Sequence, residues 1–123
     1  MTALTEGRHA AEFILSEANG HRSRENGTLD TGDLAAGTVL QVSGLKLIAF
    51  TGATATDGSL VVEAAGILIA AADATDADVE VAYIARDAEV NLSLLTYPNV
   101  LTDNSDETNT IASLALLGII ARS

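Results

Sequence analysis

The stretch DATDADVE carries the side chains best suited to chemistry: Asp73, Asp76, Asp78 and Glu80. Carboxylates at this density can supply oxygen ligands to calcium. An EF-hand loop, however, needs its ligands in the order D-x-[DN]-x-[DN]-G, and this stretch does not follow it. The spacing favours a solvated acidic turn between GILIAAA and VEVAYIAR. The acids of TDNSDE (102–107) are accounted for by helix capping. No catalytic set can be assembled around His9 and His21, which lie near the N-terminus and away from any predicted core. No Ser-His-Asp grouping is arguable, and no Gly-rich loop leads from strand to helix as a phosphate cradle does. The chain has no Cys, which removes thiolate nucleophiles, disulfides and zinc–thiolate sites together. The expectation is a non-enzymatic protein with no catalytic residue, metal or cofactor.

The other notable residues are basic. The stretch EFILSEANGHRSREN (12–26) holds His21, Arg22 and Arg24 in a chain with only six Lys and Arg and a net charge of −11. Residues 1–24 balance Glu6, Glu12 and Glu17 against Arg8, Arg22 and Arg24. The excess acid therefore lies in residues 25–123, where Lys46, Arg86 and Arg122 are the only cations. Such a body repels phosphate, so no direct nucleic-acid binding is expected. Arg22 and Arg24, two residues apart, share one side of an extended chain. They can pair with a partner's carboxylates or with those of this chain's own acidic body, and spacing does not choose between the two.

These residues must be positioned by short elements. EFIL can pair as a strand, and Asn19-Gly20 and Asn26-Gly27 are turn signals tolerant of positive φ. GTVLQVSG (37–44) and LKLIAFTG (45–52) are β-like pieces closed by Gly, and TGATATDGS (51–59) reads as a loop. LVVEAAGILIAAA (60–72) is almost continuously apolar, with Gly66 marking a bend or bulge between two strands. VEVAYIAR (79–86) and VNLSLL (90–95) alternate with period 2, as half-buried strands do. Pro98 ends that region. DNSDETNTIASLALLG then predicts one short helix. Asn104 and Glu107 form a capping box, Ile111, Leu114, Ala115 and Gly118 form the apolar stripe, and Gly118 is the stop. IIAR follows as a final strand. The fold class is mainly β (α+β), with an extended N-terminal arm over 1–24 and a β-rich domain over 25–123 whose core is expected to begin after residue 29.

The 123 residues suit one domain. The hydrophobic fraction is 48%, yet there are only two Phe, two Tyr and no Trp. A core of Ala, Val, Leu and Ile is thin, and oligomer contacts are the usual remedy. MTALTEGRHAAEF lacks the apolar segment of a secretory signal, so none is expected. The longest apolar run, IASLALLGIIA (111–121), is shorter than the roughly 20 residues a membrane helix needs, so no membrane association is expected.

The order of these segments resembles bacteriophage head decoration proteins of the lambda protein D type. The resemblance is carried by EFILSEANGHRSRENGTL (12–29), LAAGTVL (34–40), AAGILIAAADATDADVEVAYIARDAEVN (64–91), YPN (97–99) and ALLGIIAR (115–122). Tyr97 stands where many relatives place Trp. The resemblance implies a β-clip-like domain that forms a homotrimer on the outer surface of the virion head. It implies binding to the major capsid protein at local three-fold sites of the expanded capsid, and stabilisation against the pressure of packaged DNA. It further implies that the arm adds a strand to the capsid protein by β-augmentation. Phe13 and Leu15, or Ile14, would then fill small pockets, Ser16 and Glu17 would belong to the same capsid-binding set, and Arg22 and Arg24 would pair with carboxylates at the foot of the trimer. The alternative is a virion-surface module for host or glycan binding, which the poverty in aromatic rings disfavours.

Overall fold

The computed structural model describes residues 10–20, 22–52, 62–97 and 105–122. The expected loop over 51–59 (beyond Gly52), Pro98, the Asn104 cap and both histidines lie outside them.

The chain is mainly β with one short helix among the described residues. In order it forms β1 (Ile14–Glu17), β2 (Arg24–Leu29), β3 (Asp33–Leu34), β4 (Val39–Ser43), β5 (Lys46–Ala49) and β6 (Gly66–Leu68). Then come β7 (Ala72–Asp73), β8 (Val79–Ile84), β9 (Ala88–Asn91), α1 (Ser105–Ala115) and β10 (Ile119–Arg122). Strands β2, β5, β4, β6 and β8 close a small barrel. Most of its ladders are antiparallel, and the closure between β2 and β5 is a parallel bridge at Leu29 and Leu47. A second sheet, ordered β1-β9-β10, packs with α1 over one side, and β3 pairs with β7.

Two apolar clusters follow from this arrangement. Leu29, Leu40, Leu47, Leu68 and Val81 form one. Phe13, Val39, Ile67, Ile84, Val90, Leu114 and Ile119 form the other, with Phe50, Leu92 and several neighbours. Consecutive residues of β4 (Val39, Leu40) and of β6 (Ile67, Leu68) go to different clusters. A strand covered on both faces is apolar at successive positions, which is why GILI lacks alternation. Gly66 opens β6 because a Cβ there would collide with the Ile84 carbonyl oxygen and the Tyr83 ring.

Three local expectations change. Asn26-Gly27 is no turn: both residues lie inside β2, opposite Ala82 and Val81. A Cβ at Gly27 would stand 2.7 Å from Leu47 Cδ1, so this glycine serves a close approach. VNLSLL is a strand only to Asn91. The Asn91 side chain then accepts from Ser93 N at 3.1 Å and starts a 3-10 turn over Leu92–Leu94. On α1, Ala115 is exposed, while Thr110, Ser113 and Leu114 are buried. Ser113 Oγ accepts the Ala64 amide at 2.7 Å, so the face that packs Ile111 and Leu114 on the larger cluster, as the stripe predicts, carries buried polar groups as well. The stop holds: Gly118 has φ 80° and leads directly into β10.

Candidate functional site

The N-terminal segment is built into the body. Strand β1 pairs antiparallel with β9, with a bulge between Ile14 and Ser16. Asn91 N donates to Phe13 O at 2.8 Å, and Ala11 N donates to Ile69 O at 2.9 Å. Phe13 is 1% exposed, inside the larger apolar cluster. Two expectations are thereby corrected. Phe13 cannot fill a partner's pocket in this fold because it fills this chain's own core, and the core begins well before residue 29. Ile14 is half-buried against the same cluster, whereas Leu15 is 54% exposed.

Downstream, Ser23 is the residue that sequence reasoning missed. It is 1% exposed. Its hydroxyl donates to Asp87 O at 2.7 Å and accepts from Ala18 N at 2.9 Å, while its carbonyl accepts from Ala85 N at 2.7 Å. Asp87 in turn receives the end of α1, its amide donating to Leu117 O at 3.3 Å. The turn after β1, the start of β2, the β8–β9 corner and the α1–β10 turn therefore meet around one serine. No periodicity signals this, because the partners are main-chain groups, and those of Ala85 and Asp87 are distant in sequence.

The basic residues among those described are engaged internally. Arg24 Nε lies 3.2 Å from each Glu17 carboxylate oxygen. Arg86 bonds Arg22 O at 2.6 Å and pairs with Glu25. Arg122 bonds Glu89 at 2.6 Å, and Lys46 bonds Asp78 at 2.6 Å with Asp30 at 3.7 Å. Arg22 makes the loosest pair, 3.9 Å from Asp87. Of the two readings of Arg22 and Arg24, the structure shows pairing with the chain's own acids.

The outer surface of the second sheet carries a polar row. Ser16 Oγ donates to Glu89 at 2.9 Å, and Arg122 holds the same carboxylate from the other side. These two contacts, Arg122 first, hold the Glu89 carboxyl below its ordinary pKa. Exposed Leu15 and Ile120 lie on the two strands flanking β9, and among the described residues β1 is an edge strand with one ladder, to β9. A second exposed apolar pair, Val42 and Leu45, marks the tip of the β4–β5 hairpin, and Leu45 is fully exposed.

The acidic stretch is a turn. Asp73 accepts from Thr75 N at 3.0 Å and from its hydroxyl, and these bonds lower its pKa. Asp78 is occupied by Lys46. Among the described residues no three acidic or His side chains are grouped to hold a metal ion, and no helix is long and apolar enough to cross a membrane. A shallow groove of about 250 Å³ runs between Ile69–Ala72 and Val79–Ala82, lined mostly by alanines and valines.

The arrangement thus offers an open strand edge, exposed apolar side chains and internally neutralised cations, which suit contact with another protein. No curated protein matches the chain. The family model of the bacteriophage lambda head decoration protein D matches residues 3–119, so the chain belongs to that family of structural capsid proteins and sits on the phage head surface in the virion.

Proposed function

We propose that the chain binds as a homotrimer at local three-fold sites of the expanded capsid, holding the major capsid protein and stabilising the shell against packaged DNA. The observation that carries the reading is β1, an N-terminal strand with an open edge and an exposed Leu15. Such an edge can take up a strand of the capsid protein, with main-chain bonds giving affinity and side-chain pockets giving register. Leu15, Ser16 and Arg22 are the exposed residues of the expected set and can face that partner, Ser16 while bonded to Glu89 and Arg22 while loosely paired with Asp87. Ile14, Glu17 and Arg24 support it from within, and Phe13 anchors it. Each main-chain hydrogen bond contributes only about 0.5–1.5 kcal/mol net, so three edges on one trimer bind far more tightly than one. The core is built mainly from Leu, Ile and Val and is split into two small clusters, and trimer contacts would add burial to a chain of this size.

The test is addition of the purified chain to expanded, undecorated capsids, followed by imaging and occupancy measurement. The expected result is three-lobed knobs at three-fold sites, with Leu15→Asp lowering occupancy while its circular dichroism stays unchanged. Single lobes, bridges on two-fold axes, or full occupancy by Leu15→Asp would overturn it. Glycan binding without capsid binding would favour the host-binding alternative.

A further inference from the structure

The chain contains two Asn-Gly dipeptides, and the fold treats them oppositely. Asn19-Gly20 lies in the turn between β1 and β2. Asn19 is exposed, Gly20 has φ 68°, and a Cβ on Gly20 would meet nothing within 4 Å. Neither the Gly20 amide nor the Asn19 side chain has a hydrogen bond among the described residues. Asn26-Gly27 lies within β2, in register with Ala82 and Val81 of β8. Gly27 is packed beneath Leu47 and Tyr83, with the position of a Cβ 2.7 and 3.1 Å from their nearest atoms. Both asparagine side chains are exposed, so solvent access does not distinguish them. The freedom of the following amide does.

We propose that Asn19 is a site of spontaneous deamidation and that the strand ladder protects Asn26 from the same reaction. The Gly20 backbone nitrogen gives its proton to solvent base and attacks Cγ of the Asn19 carboxamide. A new N–C bond forms, ammonia leaves carrying a proton from water, and a five-membered succinimide remains. Water then adds to one of the two ring carbonyls. Opening at the side-chain carbonyl gives aspartate, and opening at the main-chain carbonyl gives isoaspartate. The balance is one water consumed and one ammonia released, with no oxidant or reductant. Ring closure needs an unhindered nitrogen and a backbone free to rotate, and glycine in an open turn supplies both. At Asn26 the same rotation requires β2 to leave β8.

Each conversion adds a negative charge to a chain already at −11. The isoaspartate product also lengthens the backbone inside the turn spanned by the 2.9 Å bond from Ala18 N to Ser23 Oγ. The need to break the β2–β8 pairing around Gly27 lowers the reactive population there by about tenfold or more.

Trypsin separates the two sites, since residues 9–22 and 25–46 each contain a single asparagine. Full-length protein would be held at mildly alkaline pH, folded and in denaturant, then digested and weighed. In the folded protein the amide-to-acid mass gain should accumulate on 9–22 about tenfold or more faster than on 25–46. In denaturant the two rates should converge, and Asn19→Gln should abolish the gain on 9–22. Equal rates in the folded protein would overturn the proposal. So would faster conversion at Asn26, or a folded Asn19 that stays intact while the denatured chain converts at both sites.

Discussion

Residues 16–20 and 22–24 are almost wholly polar, and the hairpin Val39–Ala49 is rich in apolar residues. Polarity suggests that the first hangs free and the second is buried. The fold does nearly the reverse at their key positions: Ser23 is 1% exposed and Leu45 is 100% exposed. The difference lies in what each side chain can reach. A buried hydroxyl is tolerated when its donor and acceptor are both used, and Ser23 uses both on main-chain groups. An apolar hairpin needs only Leu40 and Leu47 inside the barrel. Val42 and the tip residue Leu45 project beyond it, and a protein that acts by contact has a use for them.

The largest effect that tests this contrast is at Phe13. If the N-terminal segment is part of the body, Phe13→Ala should cost about 3–5 kcal/mol, the usual range for emptying a buried aromatic site. Denaturant unfolding would show it as a lower midpoint at unchanged slope. A free arm would show no change, and truncation after Arg24 would then also leave the unfolding transition intact. The structure predicts instead that such a truncation destroys it, because β1, Phe13 and Ser23 go together.

Next in size is Ser23→Ala. It leaves the Ala18 amide and the Asp87 carbonyl without their partner, and because both are only part-buried the cost falls at the low end for an orphaned polar group, about 1 kcal/mol. Hydrogen exchange would localise the damage to β1 and the β8–β9 corner. Uniform loss of protection across the barrel would contradict the idea of a local junction.

These cases show what the sequence could and could not reveal. Strand β8 was legible from period 2, and β4, β5 and β10 from the glycines that bound them, since Gly37, Gly44, Gly52 and Gly118 all take positive φ. The boundary of β1 was partly legible in EFIL, but its anchorage was not: Ser23 is held by residues about 64 positions away, and local pattern carries no trace of them. Asn26-Gly27 misled because the same dipeptide serves a turn, through positive φ, and a crowded strand, through the missing Cβ. The buried Thr110 and Ser113 of α1 misled for a related reason. Their burial depends on a partner such as the Ala64 amide, which helical periodicity cannot supply. Leu15 was legible as an apolar residue in a polar stretch, and it is the member of the expected pocket-filling set that stays well exposed.

The hairpin side of the contrast predicts a small effect on stability and a larger one on association. Leu45→Ser and Val42→Thr should each stay within about 0.5 kcal/mol of the parent, as exposed substitutions do. If the tip meets a partner, the double variant should lower self-association in sedimentation or occupancy on capsids. Unchanged association with unchanged stability would make the exposed pair incidental, since single exposed apolar residues are common.

The smallest effects are electrostatic, and they divide the two regions by pH. Glu89 ties the N-terminal segment, through Ser16, to β10, through Arg122. Its folded pKa is depressed, chiefly by Arg122 and then by Ser16. Its contribution is therefore complete above the unfolded value and is lost as pH falls through the lower folded value. Lys46 holds the base of the hairpin to Asp78, and its folded pKa is raised, chiefly by that contact. Its contribution is complete below the unfolded value and is lost as pH rises through the higher folded one. Both groups are solvent-exposed, so each effect is slight and fades with salt. Thermal midpoints measured across pH at low salt should lose a little of the acid limb in Glu89→Gln and a little of the alkaline limb in Lys46→Gln. If Glu89→Gln altered only the alkaline limb, or if high salt left both limbs unchanged, these ion pairs would not be the links that hold the two regions in place.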